Sequence, residues 1–569
     1  YAATIFPFAL VVSGLARRQY DHWSTSGFSW TLFASLMLGA GIIIGGFWAY
    51  EVLGWGGYWG WDPVENSSLV PWLTLLVLVH GLLVQKAKGA LVRTNMLFAI
   101  LSFLFVLYAT FLTRSGVLQD FSVHSFVDLG INNYLVGVLV AGTAVGFGLF
   151  ATRFREISAN PVSIRHLNRE LALILSMFVI GAAAIFTFVG MSSPIITGIW
   201  GKASQVDTTF YNTVNLPVAI AMALLLGVTP FLGWLDERAG AILKRLSLPL
   251  GLTVLGCVIA WVAGVTTPTL LLFVGASVFG LVSNAAVAFR QYRSGWATLG
   301  GPVAHIGVAL LLIGIVGSGS YDTTSQLMLK AGTPAQAFGY SFTFKGVEEK
   351  PGMKPEVQIE VSDGKTTYLA TPKLYFSQQT QAMMREPSIK ILPLNDLYIS
   401  PLDVQSHAGE DHQHNPTFEF AKGQTQKIGA YEVTFARFEM GNHGQSDMMS
   451  VAAVLNVTVD GRSHELKPEL YFDKNGERQM QPVELPPHGA MPAGMPNSRI
   501  ALGAINVESK MALLEYIDPM NQHQEEAPQL LVEISSKPLM MVVWTGVVLI
   551  VLGTLVAFVR RLSPVQEHA

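Results

Sequence analysis

Apolar stretches of roughly 20 residues recur along the first 320 positions and return once near the end of the chain. A helix of ~20 such residues crosses a hydrocarbon layer of about 30 Å, and a backbone inside lipid must satisfy its own hydrogen bonds. Few folds meet both conditions. About 11 spans are expected, roughly 1–15, 30–50, 69–85, 95–112, 134–152, 171–190, 214–234, 247–264, 268–288, 300–319 and 538–559. Only 13% of the residues are charged, against about 25% in soluble domains. The fold class is a polytopic α-helical membrane protein with a β-rich periplasmic domain inserted before the last helix.

Consecutive spans alternate in direction, which sorts the connecting loops into two sets. One set holds sixteen basic residues, among them Arg17, Arg18, Lys86, Arg153, Lys244 and Arg560, and the opposite short loops hold only Arg114 and Lys202. The basic side is cytoplasmic. The chain is therefore expected in the bacterial inner (cytoplasmic) membrane as a multi-pass protein in contact with membrane lipids, its Trp-rich segment and β domain in the periplasm. A net charge of −3 offers no basic footprint for nucleic acid. The single cysteine, Cys257, excludes a disulfide framework and covalent haem attachment through Cys-x-x-Cys-His. Tyr1 falls inside an apolar run with no basic start or cleavage site before it, so an upstream portion of the chain is expected.

Residues 1–319 are expected to form the helical bundle, including a Trp-rich periplasmic segment at 51–67. The β-rich domain occupies 320–537, and 538–569 supplies the final helix and a short cytoplasmic tail. Alternating runs such as YSFTF, VQIEV, YEVTF and LNVTV, broken by SDG and VDG turns, carry the β signal. VQIEVSDGKTTYLATPKLYF (357–376) parallels LNVTVDGRSHELKPELYF (455–472), which suggests two related repeats. The run holding His407, His412 and His414 has no metal-ligand spacing and reads as a solvated loop.

Ionisable side chains inside spans are costly and point to function. His80 lies six residues before Lys86, and His305 follows Pro302 at the start of a span running the other way. Either histidine alone could serve a backbone carbonyl. Together, at matched depth and beside Gly81 and Gly307, they suit the two axial positions of a buried b-type haem. Outside, residues 55–72 read WGGYWGWDPVENSSLVPW. Indole faces such as Trp55, Trp59 and Trp61 can stack on a flat apolar ring, and Gly56 and Gly57 let backbone approach it. Arg114 could meet a propionate. Asp62 and Glu65 could orient indole N–H groups, cap the following helix or contact a partner.

The order Trp55-Gly56-Gly57-Tyr58-Trp59-Gly60-Trp61-Asp62-Pro63-Val64-Glu65-Asn66 resembles the "WWD" signature of haem-handling membrane proteins, in the form found in the CcmF haem lyase family. TRSGVL with SVHSF downstream, and AHIGVAL before a β insert and a last helix, are similar to that family too. Tyr58 and Gly60 stand where the family commonly has larger aromatics. The resemblance implies that His80 and His305 ligate haem b. It implies that His124 is a ligand of haem delivered transiently by the chaperone CcmE, with Asp62 and Arg114 in the haem platform. A second external histidine, in a His-Pro-Pro segment ahead of the first helix, is absent here. The implied activity is haem lyase chemistry on the Cys-x-x-Cys-His of apocytochrome c, with a CcmH-type thiol-reducing subunit as partner and quinol as an electron source. The alternatives are a haem export or loading protein, for which a large β domain has less use, and a quinol-linked electron-transfer subunit, which leaves the Trp-rich segment unexplained.

Overall fold

The helices begin and end where capping residues stand. Asp62 accepts from the Val64 and Glu65 amides while Glu65 reaches back to the Asp62 amide, a full capping box with proline at the first helical position. Gly89 closes the same helix in the left-handed region at φ 68°, where glycine pays no Cβ penalty. Asn168 and Asp207 cap the N-termini of two later helices through their side-chain oxygens, Asn168 accepting from the Leu171 amide and Asp207 from those of Thr209 and Phe210. The computed structural model describes residues 1–52, 57–122, 124–126, 128–162, 167–235, 239–377, 382–405, 416–441, 449–472, 478–488, 497–506, 511–518 and 528–562.

In chain order the helices are α1 (Ile5–Arg17), α2 (Trp23–Val52), α3 (Pro63–Lys88), α4 (Val92–Arg114), α5 (Asn132–Arg153), α6 (Arg169–Met191), α7 (Ser193–Gly198), α8 (Thr208–Val228), α9 (Ala239–Val262), α10 (Pro268–Gln291), α11 (Gly300–Ser320) and α12 (Met540–Leu562). Among the described residues, ten of these are long and apolar enough to cross a membrane, and α1 belongs to a shorter apolar segment. They match the eleven expected spans. The short α7 leaves no trace in hydropathy. Helix α3 starts at Pro63, several residues before the apolar run, because caps rather than lipid hold its first turn.

The chain divides into two compact units, residues 1–403 with 530–569 and residues 404–529. In the first, α3 packs on α2, α4 and α6, whereas α11 packs on α10 and α12. The α11–α12 seam is built on glycine. A Cβ on Gly307 would lie 2.5 Å from the Gly546 carbonyl, and one on Gly553 would lie 2.2 Å from the Ala304 amide. Backbones that close require small residues, the usual device by which spans associate in lipid.

Both partners of that seam run on into strands of one sheet. Helix α11 gives way to the strand Thr323–Lys330 after two residues, and the strand Gln529–Pro538 turns into α12 through Leu539, left-handed at φ 59°. The Leu539 amide donates to the Leu394 carbonyl at 2.7 Å. The sheet order is Thr323–Lys330, Gln529–Pro538, Asn395–Gln405, Ser388–Lys390. At the end of α2, Tyr50 donates to Asp396 at 2.9 Å and ties the bundle to that sheet a second time. The second sheet of this unit orders Pro334–Ala337, Tyr340–Glu348, Glu356–Ser362, Lys373–Ser377 and Ala382–Glu386, with Thr367–Ala370 paired to Glu356–Ser362.

The second unit packs a core of Phe420, Tyr431, Phe435, Leu455, Ile500 and Leu514. Its larger sheet orders Thr425–Ile428, Tyr431–Gly441, Met449–Val459, Glu469–Phe472 and Arg478–Gln481, with Arg462–Leu466 paired to Met449–Val459. The order is that of the larger sheet of the first unit. Even the irregularity recurs: the register shifts between Phe344 and Gly346 in one and between Phe435 and Arg437 in the other. The smaller sheet orders Thr417–Ala421, Met511–Ile517, Arg499–Asn506 and Val483–Glu484.

Candidate functional site

His80 projects from α3 and His305 from α11, helices whose principal neighbours differ. The two ring centroids are 6.3 Å apart and the ring planes lie within 16° of parallel. Imidazoles sharing one metal through their ε nitrogens keep their centroids roughly 6 Å apart, from a bond of about 2 Å on each side plus ~1.1 Å from nitrogen to ring centre. The spacing fits. His80 Nδ1 sits 2.7 Å from the Leu76 carbonyl, which can only accept. That nitrogen therefore carries the proton, and the Nε2 lone pair is left to bind, the arrangement typical of metal-bound histidine. Both rings are only half-buried by protein, at a depth where an uncovered polar ring is costly.

The neighbouring glycines serve a different purpose from the one expected. A Cβ on Gly81 would lie 2.0 Å from Asn95 Oδ1, and Gly307 faces the α12 backbone. They admit α4 and α12, not a ligand. The reason is packing: small residues in spans are spent on helix approach.

At the other end of α3, Trp61 takes a left-handed φ of 55°. Its ring lies flat on Tyr211 of α8, with centroids 4.9 Å apart and planes 1° from parallel, and its Nε1 donates to Asn212 at 3.0 Å. One face of this indole is thus taken by protein. Trp59 meets Trp61 edge-on at 6.2 Å, and its buried Nε1 has no hydrogen-bond partner among the described residues. Tyr58 pairs with Ser318 of α11 at 2.9 Å. Gly57 is open, with nothing closer to a built Cβ than the Trp59 carbonyl at 4.0 Å. Trp55 and Gly56 lie outside the described residues, as do His407, His412 and His414.

His124 comes to Asp62: its Nδ1 is 3.4 Å from Asp62 Oδ1, an ion pair rather than a well-aligned hydrogen bond. Asp62 Oδ1 also accepts from Ser122 Oγ at 2.7 Å. The Asp62 contact raises the His124 pKa above the usual imidazole range against the opposing effect of burial. Burial pushes the Asp62 carboxyl up, but His124, Ser122 and the Val64 amide together hold it below its ordinary value. Arg114 is exposed at the end of α4 and lies over the Phe126 ring at 4.0 Å.

Asp62→Ala is expected to cost about 0.5–2 kcal/mol through the lost cap. Asp62→Asn, which can still cap, should keep most of that stability. Thermal unfolding of the two variants in detergent separates the cap from the charge, and equal losses would contradict this account.

Beneath the Trp-rich segment is a cavity of about 740 Å³, lined by Tyr58, Trp59 and Trp61 together with residues of α2, α3, α8, α10, α11 and α12. That is the size of a site for a small molecule or cofactor. Its walls are mainly apolar, and its polar groups include Asn212, Asn215, Ser318, Asp322 and Lys537. Arg114 and His124 do not line it.

Residues 1–118 match the family model described as cytochrome C assembly protein. The chain is 30% identical over 431 residues to the cytochrome c-type biogenesis protein CcmF of Haemophilus influenzae, an alignment covering 70% of this chain and 64% of that one. It is 31% identical over 409 residues to the CcmF of Escherichia coli, covering 70% and 62%. This chain belongs to the CcmF family of cytochrome c-type biogenesis proteins. It spans somewhat less than two thirds of the length of these curated relatives. A solved structure, the cytochrome c haem lyase CcmF, shares the fold with a TM-score of 0.51 at 22% identity, over 98% of this chain and 69% of that one.

The stretch matched by the cytochrome C assembly protein model includes the Trp-rich segment, His80 and Arg114, and ends before His124 and His305. Sequence reasoning overlooked the residues that finish the cavity. Asn212 and Asn215 gave a usable signal, since two amides stand close together at the start of an apolar span. Lys537 gave a fainter one, as a lone lysine just before the last apolar run.

Proposed function

We propose that this chain is a haem lyase of cytochrome c maturation, receiving haem from a periplasmic chaperone of the CcmE kind and promoting its thioether attachment to apocytochrome c. The observation that carries the haem reading is the His80–His305 pair, parallel to within 16° at 6.3 Å. In this reading His80 and His305 would hold a resident haem b, and the Leu76 carbonyl keeps His80 in the binding tautomer. When bound, that group supplies one-electron chemistry, with quinol as the donor class and reduction of the delivered haem iron as the purpose.

Delivered haem is the substrate, placed against Trp59 and Trp61, with His124 as iron ligand and the exposed Arg114 offered to a propionate. The Trp-rich segment and the β domain face the periplasm in this scheme. Each cysteine S–H adds across one vinyl C=C: a carbon–sulfur bond forms, the hydrogen passes to the adjacent carbon, and no electrons are gained or lost. The cysteines must arrive reduced, which assigns a place to a CcmH-type thiol-reducing partner. The chain contributes chiefly by holding thiol and vinyl in attack geometry, an effect worth ~7–11 kcal/mol in favourable cases.

The test is complementation in cells that lack their own haem lyase. The full chain should restore covalent haem in c-type cytochromes, and His124→Ala should reduce it to background while the reduced spectrum of the purified variant is retained. Undiminished maturation by His124→Ala would remove that residue from the scheme, and failure of the parent chain would remove the lyase assignment.

A further inference from the structure

Among the described residues, Lys537 is the cation that lines the cavity. Only 7% of it is exposed, although a lysine is almost never buried without a partner. Its carboxylate neighbour, Asp322, stands 3.9 Å away and is itself well exposed, and the Tyr398 ring lies 5.3 Å from the ammonium. Neither contact amounts to a close ion pair, and burial pulls the ammonium pKa below its ordinary value. A buried cation with such loose company is one that an arriving anion would stabilise.

The fold holds it there firmly. Lys537 is the penultimate residue of the strand that turns into α12 at Leu539, and Asp322 lies between α11 and the neighbouring strand. Both line the cavity, as do Trp59, Trp61 and Trp544. On α12 the lining runs from Met540 to Ile550, a depth of ~15 Å at 1.5 Å per residue. The cavity is thus an apolar, indole-bearing well with an ammonium at the end where α12 begins and, in its lining, the indole N–H of Trp59, which has no partner among the described residues. A flat apolar ring carrying carboxylates on one edge matches each of those features.

We propose that Lys537 anchors a propionate of the delivered tetrapyrrole, drawing that edge of the ring into the cavity beside Trp59 and Trp61 and leaving the iron outside it for His124. The inference rests on the reading of the chain as a receiver of haem and adds the seat and its anchoring cation. Rotation of the ring in its own plane decides which carbons meet an incoming thiol, so a fixed carboxylate edge fixes the vinyl positions. Arg114, exposed over Phe126, does not line this cavity.

The experiment compares haem with haem dimethyl ester, whose carboxylates are blocked, as ligands of the purified full chain that already carries its resident haem. Quenching of tryptophan fluorescence reports binding. The parent chain should bind the acid at least tenfold more tightly than the ester. Lys537→Gln should lose that preference by weakening the acid alone, and Lys537→Arg should keep most of it. Unchanged affinity ester by ester confirms that Lys537→Gln still folds. Acid binding by Lys537→Gln at parental strength would overturn the assignment, as would an equal loss for acid and ester. If the parent chain binds neither ligand, the receiver reading fails along with it, whereas binding indifferent to Lys537 sinks only the anchor.

Discussion

Replacing His80 and His305 together by alanine is expected to abolish the sharp α and β bands of the dithionite-reduced protein and to leave it without stoichiometric haem. The expectation follows from geometry. Two imidazoles with centroids 6.3 Å apart and nearly parallel planes have the separation that a shared iron requires, and the Leu76 carbonyl has already committed one nitrogen of His80. Each single variant keeps one ligand, so His80→Ala or His305→Ala should retain part of the haem with broadened bands. Alanine in a span costs little helix stability, and the cavity left by a half-buried ring is modest, so the double variant should still assemble. Survival of sharp bands in the double variant would show that iron is held elsewhere.

Gly553→Leu is the second large effect. A Cβ there would sit 2.2 Å from the Ala304 amide and 2.7 Å from the Gly300 carbonyl, so α12 cannot keep its distance from α11. Overpacking of this kind costs typically 1–3 kcal/mol and sometimes more. Here it also acts one residue from His305, so the imidazole pair should lose its alignment and the reduced bands should weaken. Gly301→Ala is the matched control, because nothing lies within 4 Å of a Cβ at that position. The thermal midpoint in detergent and the reduced spectrum should both fall for Gly553→Leu and hold for Gly301→Ala. A Gly553→Leu protein as stable as its parent would mean the seam is looser than its backbone contacts imply.

Much of this was legible in the residues, and the boundary of what was not has a physical origin. Spans are written in composition, because lipid tolerates little else, and the two histidines stood out because they broke that rule. The capping role of Asp62 was among the readings open at the outset. Its tie to His124 was not, since nothing in chain order says that a loop sixty residues away folds back on it. Trp61 was read as an open stacking surface, yet its left-handed backbone turns the ring onto Tyr211, a choice made by α8 rather than by the local sequence. Gly81 and Gly307 were read as space beside a ligand and proved to be space for Asn95 and α12. In a one-dimensional text a glycine that admits a helix and a glycine that admits a ligand look alike.

The order of strands carries a consequence for how such a chain can grow. In the second unit, Arg499–Asn506 and Met511–Ile517 are adjacent in the sheet and separated only by 507–510. Their counterparts in the first unit, Asn395–Gln405 and Gln529–Pro538, are also adjacent but separated by 406–528. An entire sheet pair has been spliced into the tip of a hairpin. Lengthening a connection costs only about 0.6 kcal/mol for each doubling, so a passenger of this size burdens its host little. The graft point lies on the very strand pair that continues into α12, and the bundle keeps its grip on that pair whatever is carried beyond it.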